Sequence, residues 1–189
     1  KIEPLPQIPR QEPVEVPTDL LLVEDERLAR HALAEFLKKR GFSVQQVASG
    51  ASAVAHAKKK KVGIVLMDIV LGDKMDGIEA ARKIQREQPM MSFIFVSAYA
   101  QDPSYQRRAL ESGLRVGAWI EKPVRVHDLV ARIEKEQRKL QILAYLEKAK
   151  ARGLEPRSYL HAVLDLDRSL EPDIVEEILN ELQSSGLEP

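Results

Sequence analysis

V-G-I-V-L-M-D-I-V-L-G-D-K-M-D, residues Val62 to Asp76, joins an apolar run to an aspartate and a polar loop. Val62–Met67 shows no polar alternation, so it reads as a strand buried on both faces of a parallel sheet. Asp68 ends that strand, and Leu71-Gly72-Asp73-Lys74-Met75-Asp76-Gly77 follows as a loop. Open α/β sheets bind ligands outside the carboxyl ends of their strands, where Asp68 falls. A lone aspartate at that position can equally be a strand terminator facing water. The residues ending the other strands decide between the two.

Upstream, Asp19–Val23 (D-L-L-L-V) reads as a strand ending at Glu24-Asp25. A helix over Glu26–Arg40 follows, its apolar stripe read as Leu28, Ala32, Phe36 and Leu37, with Gly41 as its stop. Ser43–Val47 is a second strand. Gly50–Lys59 is a helix whose end, Lys58-Lys59-Lys60-Lys61, suits a helix C-terminus; without interleaved aromatics it reads as a solvated end, not a nucleic-acid patch. Downstream, Gly77–Gln88 is a helix stopped before Pro89, and Ser92–Val96 is a strand ending at Ser97-Ala98. Pro103–Ser112 is a helix with Gly113 as its stop, and Ala118–Glu121 is a strand ending at Lys122-Pro123. Five strands alternating with helices over short connections predict a doubly wound, flavodoxin-like α/β domain with parallel strand order 2-1-3-4-5.

That topology gathers Glu24, Asp25, Asp68, Ser97 and Lys122 at one sheet edge. Carboxylates a few ångströms apart repel by several kcal/mol at protein dielectric, so the cluster asks for a cation, and all-oxygen ligands favour Mg²⁺ or Mn²⁺. A carboxylate nucleophile with a lysine and a hydroxyl nearby matches phosphoryl transfer.

The motifs L-V-E-D-E, L-M-D-I-V-L-G-D-K-M-D-G-I-E-A, F-V-S-A-Y and A-W-I-E-K-P-V, in this order, resemble the receiver domains of two-component response regulators, over about Asp19–Arg138. The resemblance implies that Asp68 accepts a phosphoryl group from a sensor histidine kinase or a histidine phosphotransfer protein. It implies that Asp25 binds Mg²⁺ directly, Glu24 through water, and Val70 through its backbone carbonyl. Ser97 is then the switch hydroxyl, Ala98 the small residue leaving the phosphate accessible, Lys122 the phosphate-binding lysine, and Lys122–Pro123 a cis peptide. Trp119 departs from the pattern: the resemblance puts there the Tyr or Phe switch residue whose ring turns inward on activation, but an indole is larger and needs a partner for its N–H, so both the switch role and a static packing or partner-contact role stay open. A Mg²⁺-dependent phosphatase is the rival from another class, but it needs a second aspartate two residues after the nucleophile, where this chain has Val70. The chain is therefore read as a signalling domain and not an enzyme.

Around this domain, residues 1–18 carry five of the chain's 11 prolines and read as a linker, 19–138 as the receiver, and 139–189 as a helical extension. The chain does not start with Met, from which we expect further protein upstream. The final receiver helix runs without Gly or Pro to about Arg152, with Val126, Leu129, Val130, Ile133, Leu140, Leu143 and Ala144 on its apolar side. Leu140, Leu143 and Ala144 lie on a far half expected to need cover from outside the receiver. Two shorter helices, about Pro156–Leu164 and Pro172–Ser184, offer Tyr159, Leu160, Val163, Leu164, Ile174, Ile178 and Leu182 for that purpose, or a second subunit in a homodimer does. Leu-Glu-Pro recurs at Leu154, Leu170 and Leu187, so each Pro is read as opening a helix at its first position.

A winged helix or a small RNA-binding antiterminator module, truncated or degenerate, is the alternative for the extension. From Glu155 onward nine acidic residues face only Arg157 and Arg168, which disfavours a phosphate backbone and favours protein contact. The whole chain balances 29 basic against 29 acidic residues, so no general attraction to nucleic acid or anionic lipid is expected. With no cysteine, thiolate metal sites and disulfides are excluded; that and the lack of a membrane-length apolar run lead us to expect a cytoplasmic protein without membrane insertion. His31, His56, His127 and His161, on separate predicted helices, read as surface or packing residues.

Overall fold

The computed structural model describes residues 19–72, 74–155, 158–160 and 172–184. The proline-rich segment, Asp73, Pro156, His161, Val163, Leu164, Leu170 and Leu187 lie outside the described residues, as does the side chain of Leu182. Two compact units divide the chain, one ending at Leu140 and the other taking it up from Gln141.

In the first unit strands β1 (Leu20–Val23), β2 (Val44–Val47), β3 (Ile64–Met67), β4 (Ser92–Ser97) and β5 (Val116–Glu121) alternate with helices α1 (Arg27–Lys39), α2 (Gly50–Ala57), α3 (Gly77–Glu87) and α4 (Pro103–Glu111). Helix α5 (Val126–Ala151) follows β5. The sheet is wholly parallel in the order β2-β1-β3-β4-β5. Strands β1, β3 and β4 are buried at every position, while β2 and β5 are half-exposed edges.

Strand pleating sends alternate side chains to opposite faces. Leu21, Val23, Val65, Met67, Phe93 and Phe95 meet residues of α2, α3 and α4, among them Ala53, Ile78, Ile84 and Ala109. Leu20, Leu22, Ile64, Leu66, Ile94 and Val96 meet α1 and α5 through Ala34, Leu37, Leu129 and Ile133. Each such aliphatic or aromatic side chain contributes about 1.5–3 kcal/mol when removed from water. The stripe expected on α1 is corrected here: Leu28 is 76% exposed and Ala32 is exposed, whereas Ala34 and Leu37 are buried. Leu28 precedes the buried Leu37 by nine residues, which at 3.6 residues per turn puts it on the opposite side of the helix.

Local signals set the helix ends. The Asp76 carboxylate accepts the Glu79 N–H at 2.8 Å to cap α3, and Asp102 accepts the Ser104 N–H at 2.8 Å to cap α4, which opens on Pro103. Gly41 and Gly113, with φ of 91° and 64°, turn the chain out of α1 and α4 through a conformation other residues resist. Strand β5 begins two residues before the expected Ala118, because Gly117 is an extra residue in its pairing with β4: Phe93 pairs with Val116 and Ile94 with Ala118. A Cβ at Gly117 would lie 2.5 Å from Oε2 of Glu136, a buried α5 residue that accepts the Ser92 hydroxyl at 2.6 Å.

Leu140 belongs to the core of the α/β unit, not to the uncovered half of the long helix. The second unit has its own core: Ile142, Leu143, Tyr145, Leu146 and Ala149 of α5 pack with Tyr159, Leu160 and with Ile174, Val175, Ile178 and Leu179 of helix α6 (Pro172–Ser184). Ala144 is only half-buried. Among the described residues no helix is long and apolar enough to cross a membrane.

Candidate functional site

Parallel pairing aligns the strand ends that carry the polar residues. Val23 pairs with Met67 and Met67 with Phe95, so Glu24 and Asp68 emerge side by side, and Ser97 ends β4 at the same edge. Asp68 donates its N–H to the Val23 carbonyl at 3.0 Å, and Lys122 donates its N–H to the Ser97 carbonyl at 3.2 Å. Glu24, Asp68 and Ser97 are buried; Asp25 and Ala98 are exposed.

Carboxylate oxygens of Glu24, Asp25 and Asp68 all lie within 4.8 Å of one another. At an effective dielectric of about 20, each such pair repels by roughly 3–4 kcal/mol. The Lys122 ammonium partly offsets this, donating to Glu24 Oε2 at 2.6 Å and to Asp68 Oδ2 at 2.5 Å. One ammonium against three carboxylates leaves a formal charge of −2, and the oxygen-only donor set fits a divalent hard cation. Burial pushes the Glu24 carboxyl above its ordinary value; the hydrogen bond and charge of Lys122 oppose this without overcoming it, and the Asp68 charge adds to the rise. For Lys122 burial works downward, but its bonds to Asp68 and Glu24 outweigh it and raise the ammonium's pKa.

The other expected residues surround this cluster. Val70 donates its N–H to Asp68 Oδ1 at 3.2 Å, and the residue is 47% exposed. The Ser97 hydroxyl accepts the Tyr99 N–H at 3.5 Å. The Lys122–Pro123 peptide is cis. Trp119 stacks on Phe95 with ring centroids 4.6 Å apart, half-buried beside the core. His31, His56 and His127 stand on α1, α2 and α5, and the metal-type cluster found among the described residues contains no histidine.

Four supporting residues were not read from the sequence. Arg30 donates from α1 to the carbonyls of Glu24 at 2.6 Å and Asp25 at 3.1 Å, fixing the backbone of the acidic pair. The Gly72 N–H donates to Asp25 Oδ2 at 2.9 Å. Gly77 packs so closely on the Asp68 carbonyl that a Cβ would overlap it. Asp76, besides capping α3, pairs with Arg108 of α4 at 2.8 Å. The run M-D-G at Met75–Gly77 carries signal for two of them, an N-cap followed by a glycine; Gly72 bonds a residue 47 positions away, which leaves no local pattern, and Arg30 reads as an ordinary basic residue of a helix surface.

Residues 20–134 match the model of the response regulator receiver domain. The chain belongs to that family. It is 32% identical over 116 residues to the response regulator receiver protein CpdR of Brucella abortus, covering 61% of this chain and 93% of CpdR. It is also 37% identical over 105 residues to the sensor kinase CckA of the same organism, covering 51% of this chain but 11% of the kinase. A solved receiver domain of the Pseudomonas aeruginosa sensor histidine kinase PA1611, with a magnesium ion coordinated in its active site cleft, superposes with a TM-score of 0.55 at 25% identity over 64% of this chain and 97% of that one. The receiver family serves two-component signal transduction, and its acidic pocket binds Mg²⁺.

Proposed function

We propose that this receiver is a phosphorylation-switched response regulator in which Asp68 accepts the phosphoryl group of a phosphohistidine on a sensor kinase or phosphotransfer protein. The observation that carries the reading is the buried Asp68 carboxylate within 4.8 Å of Glu24 and Asp25 and bonded to Lys122. Asp25, Asp68 and the Val70 carbonyl would hold Mg²⁺ or Mn²⁺, Glu24 acting through water; the cation supplies charge neutralisation for the transferring oxygens.

In the transfer, an Asp68 oxygen bonds to phosphorus as the bond from phosphorus to the histidine nitrogen breaks, and the nitrogen keeps the electron pair and takes a proton. Lys122 turns its ammonium to a phosphoryl oxygen, and Ser97 supplies its hydroxyl to another. Exposed Ala98 leaves that approach open. The acyl phosphate carries more charge than the carboxylate it replaces, so Ser97 and Lys122 are drawn towards it and β4 and β5 shift with them. Output then passes by protein contact or dimerisation through the C-terminal helices, whose acidic composition suits a protein partner better than nucleic acid.

The test is incubation with a small-molecule phosphodonor, with and without Mg²⁺, for the wild type and Asp68→Asn. Mg²⁺-dependent uptake of one phosphoryl group by the wild type alone is expected; equal uptake by the variant removes Asp68 from the role.

A further inference from the structure

Asp25 is the exposed member of the acidic set, and an exposed carboxylate ordinarily samples several rotamers. Here both of its ends are held. Arg30 fixes its carbonyl at 3.1 Å, and the Gly72 amide, from the loop after Asp68, fixes Oδ2 at 2.9 Å. Gly72 does not occupy the left-handed region, where a side chain would be strained. What its missing side chain does is leave space: a Cβ built there would meet Asp25 Oδ2 at 2.9 Å, with the Asp25 Cγ, at 4.0 Å, its other neighbour.

From this we infer that Gly72 is a positioning residue for the cation-binding carboxylate of Asp25, its N–H setting the rotamer and its lack of a Cβ keeping that position open. The inference rests on the reading of Glu24, Asp25 and Asp68 as a divalent-cation site. It adds that the loop after Asp68 and the loop after β1 are tied through one amide, so cation binding and the order of the β3–α3 loop reinforce each other. Supporting groups behind a metal ligand typically change affinity about 10–100-fold when lost. Because the atom in the way is the mobile end of one exposed side chain, Gly72→Ala should move the carboxylate without disturbing the core.

The experiment titrates Mn²⁺ by electron paramagnetic resonance into the full chain, the Gly72→Ala variant and an Asp25→Asn control, beside urea unfolding in chelator and the Mg²⁺ dependence of phosphorylation. For Gly72→Ala we expect Mn²⁺ affinity to fall by about tenfold or more and the half-saturating Mg²⁺ for phosphorylation to rise by a similar factor. The rate at saturating Mg²⁺ and the urea midpoint should stay at wild-type values. Affinity within twofold of wild type overturns the inference while leaving the cation site standing, provided Asp25→Asn weakens binding. Unchanged binding in Asp25→Asn removes the site itself, and the inference with it. Should Gly72→Ala fail to fold, amide exchange decides: the Gly72 N–H should be protected in wild type and released in Asp25→Ala, which has no side-chain acceptor, and equal exchange in the two, fast or slow, overturns the role.

Discussion

Replacing Lys122 with Met removes the one ammonium bonded to Glu24 and Asp68, whose side chains are 8% and 9% exposed. Stripping one partner from a buried ion pair costs about 3–5 kcal/mol, because the other charge stays desolvated. Lys122 keeps 29% of its side-chain exposure, so water reaches the site and the loss should fall near the lower end, about 3 kcal/mol. The cost should depend on pH and on metal. Glu24 already has a raised pKa, so its ionised form opposes folding, and this penalty is relieved as pH falls through the folded-state value towards the ordinary 4.5. Without Lys122 the raising causes act unopposed, so the variant's deficit should shrink between pH 8 and pH 5. A divalent ion at about 100 times its dissociation constant stabilises by about 2.7 kcal/mol, and the variant, with no ammonium on the same oxygens, should bind the ion more tightly and gain more at a given concentration. Urea unfolding in chelator and in Mg²⁺ reads both effects. A variant within about 0.5 kcal/mol of wild type in chelator, the scatter of a neutral surface change, or a deficit that Mg²⁺ leaves untouched, refutes the electrostatic account.

The raised Lys122 pKa means its stabilisation is complete below the ordinary 10.5 and is lost as pH rises through the folded value, so the wild-type urea midpoint should drop in that alkaline range while Lys122→Met stays flat. Gly117→Ala should destabilise by about 2–4 kcal/mol through overpacking on Glu136 and loss of its bond to Ser92. In a Glu136→Ala background that cost should nearly vanish, and an undiminished cost in the double variant would contradict the packing described. Ile178→Asp puts a charge into the core of the second unit and should raise hydrogen exchange across residues 142–149 while phosphorylation of Asp68 proceeds at the wild-type rate. Loss of phosphorylation in that variant would make the two units interdependent.

Buried parallel strands announce themselves as short apolar runs, and four of the five strands, all but β2, lead into a polar residue of the site, so the strand order and the gathering of Glu24, Asp25, Asp68, Ser97 and Lys122 at one sheet edge are legible from Val62–Asp76 outward. Three features are not. The expected α1 stripe of Leu28, Ala32, Phe36 and Leu37 holds for Phe36 and Leu37 but not for Leu28 and Ala32, because helical spacing fixes a period but not which side meets the sheet. Leu140 was assigned to the uncovered half of α5 because the point where a continuous helix leaves one core for another depends on the height of the sheet beneath it. The start of β5 was missed because Gly117 weakens a strand pattern, and the reason for that glycine, Glu136, lies 19 residues further on. Gly72 belongs to the same class, its amide reaching a carboxylate 47 residues earlier, whereas Arg30 is near its partners in sequence but looks like any basic residue on a helix surface.

Every functional step proposed for this receiver passes through phosphorylation of Asp68. After reaction with a phosphodonor and Mg²⁺, borohydride reduces an aspartyl phosphate to homoserine, and peptide mass spectrometry locates the change. Homoserine is expected at position 68, with none in the absence of Mg²⁺ and none at Asp25 or Asp76. Reduction product at any residue other than Asp68, or none in a sample that has taken up phosphate, contradicts it.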